Sequence, residues 1–171
     1  MMQPYDPERR IILLIHGLAS SPEAWANLAN ELMGDATLRK NYQIWLFYYP
    51  TNVHIAFNHF AMRHTLEAVQ RSFDPDRRQP ASHGMVLVGH SMGGVISRLM
   101  VSTAQDEIVE MARHDHDLDD EELARVVDAV GPVLRFAPLP QVERAIFLAT
   151  PHRGTDFAAG WLARTFASLI P

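Results

Sequence analysis

Gly89, Ser91 and Gly93, in the run Val86-Leu87-Val88-Gly89-His90-Ser91-Met92-Gly93-Gly94, have the types and spacing for covalent catalysis. An apolar strand run precedes this serine and a helical pattern follows it, so the G-x-S-x-G spacing predicts a tight strand-to-helix turn. On such a turn the hydroxyl projects above the sheet edge as a nucleophile. Glycines two residues to either side remove the side chains that would collide as the backbone reverses. The helix that follows directs its N-terminus at the reacting centre, where negative charge develops. A second run, Leu14-Ile15-His16-Gly17-Leu18, closes the first apolar strand. In a parallel sheet it reaches the same carboxyl edge as Ser91, where ligands of open α/β sheets bind. Gly17 lets the backbone approach a substrate carbonyl. The N–H groups of Leu18 and Met92 are then the expected oxyanion donors, with His16 supporting the loop.

A serine nucleophile needs a base, and the chain has nine histidines. His90 is expected beside the nucleophile, facing the wrong way to take its proton. His152, in the loop after the fourth apolar run, is the best local candidate for the base, and Asp156 just beyond it is the candidate acid. His54, His59 and His64 fall in or before a helical segment, and the five-residue spacing of the last two does not share a helix face well. His83 precedes the Ser91 strand. His114-Asp115-His116-Asp117 alternates metal-binding types, but it lies in an acidic loop with no matching distant ligand, so no metal site and no cofactor are expected.

The elements that must position these residues follow from the hydrophobic pattern. Four continuous apolar runs (10–15, 44–49, 85–88 and 144–149) read as buried strands, continuous because helices cover both faces. Helical patterns fill the gaps: one from Ser21-Pro22 to about Met33, then Phe57 to Phe73, then Met92 to Ala104. Strand–helix alternation with short crossovers implies a parallel α/β sheet. Asp119 to Val130 adds an acidic amphipathic helix, with Asp119 three residues before Glu122 as in a capping box. It lies in a charge island: residues 105–131 hold ten acids against two bases, a net −8, while the rest of the chain carries +3.

Composition bounds the alternatives. With 171 residues, 47% of them hydrophobic, the chain is one domain's worth of sequence. The absence of cysteine excludes a disulfide scaffold, a thiolate metal site and a cysteine nucleophile. A net charge of −5 does not suit a nucleic-acid partner. No stretch approaches the ~20 apolar residues of a transmembrane span. The start lacks a signal-peptide layout, so the chain as written reads as cytoplasmic.

These motifs together resemble the α/β-hydrolase fold, and within it the lipase/esterase-like serine hydrolases. Four parts occur in the family's order: the His16-Gly17-Leu18 loop, the Trp45–Pro50 strand end, the Gly89–Gly94 elbow, and Thr150-Pro151-His152-Arg153-Gly154-Thr155. The resemblance implies a three-layer α/β/α core and an ester or lipid substrate attacked by Ser91. Leu18, Trp25, Phe47, Tyr48, Tyr49, Met92 and Trp161 would offer an apolar surface for the acyl chain. The family's triad runs serine, acid, histidine, and no histidine follows His152. Residues 1–171 are therefore expected to be a partial hydrolase domain, incomplete at the C-terminal end and inactive alone, with a helical insertion or lid at 105–140. Two other functions share these residues: a non-catalytic domain that binds a lipid or a protein, and acyl transfer to an alcohol.

Overall fold

The structure, a computed structural model, describes residues 4–105 and 119–152. Among them, β1 (Arg10–Ile15), β2 (Tyr42–Phe47), β3 (Met85–His90) and β4 (Val142–Leu148) form one sheet in the order β2-β1-β3-β4. Every pairing is parallel, so all four carboxyl ends reach one edge. A 3-10 turn (Pro22–Trp25) and the helices α1 (Ala26–Gly34) and α2 (Ala36–Asn41) connect β1 to β2. Helix α3 (Ile55–Phe73) links β2 to β3, α4 (Met92–Met100) follows β3, and α5 (Asp120–Leu134) precedes β4.

Alternation along the strands divides the core in two. Ile11, Leu13, Ile15, Met85 and Leu87 face Met62 and Leu66 of α3 and Met92, Ile96 and Met100 of α4. Ile12, Leu14 and Val88 face Trp25 and the α1 residues Leu28, Ala29 and Leu32. The result is the expected three-layer α/β/α arrangement. Leu14, Ile15, Leu87, Ile96 and Met62 have no solvent exposure, and each such side chain contributes about 1.5–3 kcal/mol by leaving water.

Several element boundaries depart from the sequence pattern for local reasons. β2 starts two residues early, at Tyr42, because buried Gln43 replaces apolar packing with hydrogen bonds. Its amide nitrogen donates to the carbonyls of Asp6 (2.6 Å) and Arg9 (2.8 Å). α4 stops at Met100 rather than Ala104, since Ala104 and Phe136 exchange backbone hydrogen bonds of 2.9 and 2.8 Å in an isolated antiparallel bridge. α2 has no apolar repeat to announce it and is started by Asp35, whose carboxylate accepts from the Thr37 and Leu38 amides. Ser21 is extended and makes no side-chain cap to the backbone, while Asp119 does form the capping box with Glu122. β4 is not buried on both faces as its sequence predicts. It pairs with β3 alone among the described residues, and Ile146 and Leu148 stay exposed.

Candidate active site

Ser91 sits between the last residue of β3 and the first of α4 with φ +51° and ψ −119°. A non-glycine residue with positive φ costs on the order of 1–3 kcal/mol, so its surroundings must hold it there. The Ser91 N–H donates to the Leu148 carbonyl at the end of β4 (2.9 Å). The Ser91 carbonyl accepts from the Gly94 and Val95 amides (3.0 and 3.3 Å), which starts α4. The glycines around it are contact points. A Cβ at Gly89 would lie 2.5 Å from the Gly93 carbonyl oxygen, one at Gly93 would overlap the Ile15 and His16 carbonyls, and one at Gly94 would overlap the Thr150 side chain. The turn is thus clamped by β1 on one side and by the end of β4 on the other. Among the described residues the Ser91 hydroxyl has no hydrogen-bond partner.

The β1 loop meets the elbow at Gly17, where a Cβ would lie 2.9 Å from His90 Nδ1 and 3.1 Å from Ser91 Cβ. His16 is buried, stacked on Tyr49 with ring centroids 4.4 Å apart, and its Nδ1 is 3.0 Å from the Gly17 carbonyl. A carbonyl can only accept, so Nδ1 carries a proton and donates. The Tyr49 hydroxyl donates to the His16 carbonyl at 2.6 Å, and burial pushes the Tyr49 phenol pKa up. Leu18 is exposed beside this loop, and Met92, first residue of α4, is buried. As that first residue, Met92 has an N–H without an intrahelical partner.

The remaining site candidates are spread out. His90 is exposed, and its ring meets Trp25 edge-on at 6.5 Å. His152 is exposed past β4, edge-on to Phe147 at 4.7 Å. The His54 Nδ1 accepts from the Ala56 amide (3.1 Å) and caps α3. Asp156, Trp161 and His114-Asp115-His116-Asp117 lie outside the described residues, and no group of three metal-ligating side chains occurs among the described ones. Of the aromatic residues expected to face an acyl chain, Trp25 and Tyr49 are buried, whereas Tyr48 is 72% exposed. Sequence reasoning missed the support given by Tyr49 and Thr150. The signal for Tyr49 was present, since the Tyr48-Tyr49 pair ends an apolar run at the carboxyl edge and alternation points one ring in and one out.

A family model described as the PGAP1-like alpha/beta domain matches residues 6–113. No curated protein matches. Among solved structures, the mature form of Bacillus licheniformis lipase BlEst2 is 21% identical with a TM-score of 0.48, over 97% of this chain and 54% of that one. Its propeptide form is 22% identical with a TM-score of 0.47, over 96% of this chain and 29% of that one. The chain therefore spans about half the length of the mature lipase. No helix among the described residues is long and apolar enough to cross a membrane.

Proposed function

The chain belongs to the PGAP1-like alpha/beta domain family, and from that premise we propose that it acts as a serine carboxyl-ester hydrolase with Ser91 as nucleophile. The observation that carries the reading is the backbone of Ser91, held at positive φ between β3 and α4. A strained residue at a strand–helix junction implies that something other than stability is served by its conformation. In this reading the Ser91 oxygen attacks the ester carbonyl carbon and its proton passes to a base. The N–H groups of Leu18 and Met92 receive the oxyanion as the carbonyl π bond breaks. Collapse of the tetrahedral intermediate expels the alcohol, which takes the proton, and water then releases the acid from the acyl-enzyme. Exposed Leu18, Tyr48 and Val53, all on loops at the carboxyl edge, suit an apolar acyl group. His152 and Asp156 are the base and acid that this chain itself offers. Helix α5 falls within residues 105–140, the expected helical insertion or lid.

Fluorophosphonate labelling tests the nucleophile. The chain should be labelled and its Ser91→Ala variant should not; equal labelling of the two removes Ser91 from the mechanism. Turnover of a p-nitrophenyl ester by the chain alone should be negligible; turnover at an ordinary enzyme rate that is lost in Ser91→Ala would make His152 or an intermolecular histidine the base. The lack of a partner for the Ser91 hydroxyl among the described residues favours one second reading, a non-catalytic domain that binds lipid. That reading predicts apolar ligand binding with no labelling at all.

A further inference from the structure

Seven large apolar side chains are exposed among the described residues. Six of them, Leu18, Leu46, Tyr48, Val53, Ile146 and Leu148, sit on the last three residues of a strand or on the loop beyond it. They therefore gather at the carboxyl edge of the sheet, the edge that carries Ser91. The seventh, Phe73, ends α3 and packs on Tyr5 with ring centroids 4.5 Å apart. The apolar rim is broad. Leu46 and Ile146 end one register row that runs Leu46, Leu14, Val88, Ile146, so they stand three strand spacings apart, roughly 14 Å. Trp25 and α1 cover the middle of that row and leave its ends open. Charge is distributed the opposite way. Residues 16–25, 48–54, 90–91 and 149–152, which form the described carboxyl edge, hold one charged side chain, Glu23. Residues 4–9 and 74–84, which lead into β1 and β3 at the amino edge, hold seven, four acidic and three basic.

We propose that the carboxyl edge docks on an uncharged lipid surface, the headgroup layer of a zwitterionic bilayer, with Leu18, Tyr48, Val53 and Leu148 entering it. Tyr48 suits that depth, because an amphipathic ring places its apolar body among acyl chains and its hydroxyl among headgroups. The aliphatic residues add apolar area, which sets the strength of binding at an interface. The charge pattern selects the kind of surface. Anionic leaflets are recognised by clusters of Lys and Arg, and the described carboxyl edge has neither. A protein partner would meet a rim of charged and polar side chains around the apolar centre, whereas here the apolar residues stand on both flanks of the elbow with Glu23 as the one charge among them. A flat, uncharged partner matches both the breadth and the neutrality of this edge. Docking does not require Ser91 to react, so the proposal goes beyond the hydrolase reading and stands apart from it.

Flotation of the full chain with phosphatidylcholine vesicles tests the proposal, at about pH 8, above the titration range of an ordinary imidazole. Saturable binding is expected, unchanged between low and high salt, and no stronger when phosphatidylserine replaces part of the phosphatidylcholine. Tyr48→Asp should weaken it about tenfold or more, as loss of one side chain's burial implies, and Val53→Asp should act in the same direction. Phe73→Ser, which removes an exposed apolar residue away from this edge, should bind as the parent does. Thermal unfolding identifies any variant that fails to fold, and Tyr48, at 72% exposure, is the position where substitution leaves the fold intact. No flotation with phosphatidylcholine overturns the proposal. Binding that needs phosphatidylserine, or that is lost in high salt, overturns it too, because cations elsewhere on the surface would then hold the chain. Equal loss in Phe73→Ser and Tyr48→Asp reduces the effect to general stickiness and has the same consequence. Self-association abolished by Tyr48→Asp, with no vesicle binding, assigns the edge to a second copy instead. Ser91→Ala should float as the parent does, and fluorophosphonate labelling without flotation keeps the hydrolase reading while ending this one.

Discussion

Tyr49 shows how one buried side chain can hold a loop. Its ring stacks on His16 and its hydroxyl donates to the His16 carbonyl, so it fixes both ends of the residue that precedes Gly17. Tyr49→Phe keeps the stack and leaves a buried carbonyl without its donor. The expected cost is about 1–3 kcal/mol, seen as a lower thermal midpoint, together with slower fluorophosphonate labelling because Leu18 N–H loses its fixed position. A variant with unchanged midpoint and labelling would show that the loop is held elsewhere. Strain follows the same geography. Of the four described non-glycine residues with positive φ, Ala19, Ser91 and Ala149 lie just past the carboxyl ends of β1, β3 and β4. Only Arg77 is remote from that edge.

Helix α5 is the element whose start is most completely specified. The Asp119 carboxylate accepts from the Glu121 and Glu122 amides at 2.9 and 2.8 Å, and the Glu122 carboxylate accepts the Asp119 N–H at 3.1 Å. Asp119→Ala should cost about 1 kcal/mol and raise amide exchange in the first turn of α5, while exchange in β1 and β3 stays unchanged. That helix was legible because a capping box is a local device, written in residues three apart. The strands were legible for a different reason: burial on two faces forces continuous apolar runs, and β1 and β3 are such runs. What escaped was whatever depended on distant partners. Gln43 looks like a surface residue until Asp6 and Arg9 supply its hydrogen bonds, and Ala104 looks helical until Phe136 pairs with it. The exposed β4 escaped likewise, since burial at a sheet edge is decided by the neighbours rather than by the strand. For the site, the serine turn and its glycines were readable because their constraints lie within six residues. The clamps on that turn, Leu148, Thr150 and the β1 carbonyls, come from other elements.

Over the whole molecule, three buried titratable groups tie stability to pH in one direction. Burial lowers the pKa of His54 and brings that of His59 to about 4. A histidine depressed in the folded state stabilises above its unfolded pKa and loses that contribution as pH falls through the folded value. For His59, about 4 against 6.5 amounts to ~3 kcal/mol of stability lost on acidification through that window. Burial opposes ionisation of Asp74, yet hydrogen bonds from Ser82 and from the Gln79 and Arg78 amides hold its carboxyl below the usual range. Its contribution disappears at still lower pH. Thermal unfolding should therefore weaken in two stages as pH falls, and His59→Phe should flatten the first; a midpoint constant from about pH 7 to about pH 4 would contradict this. The contact between Gly94 and Thr150 has a consequence of another kind. It joins two segments far apart along the chain at a place with no room for one added carbon. Random mutation therefore cannot treat positions 94 and 150 as separate letters: any gain in bulk at the first requires a matching loss at the second.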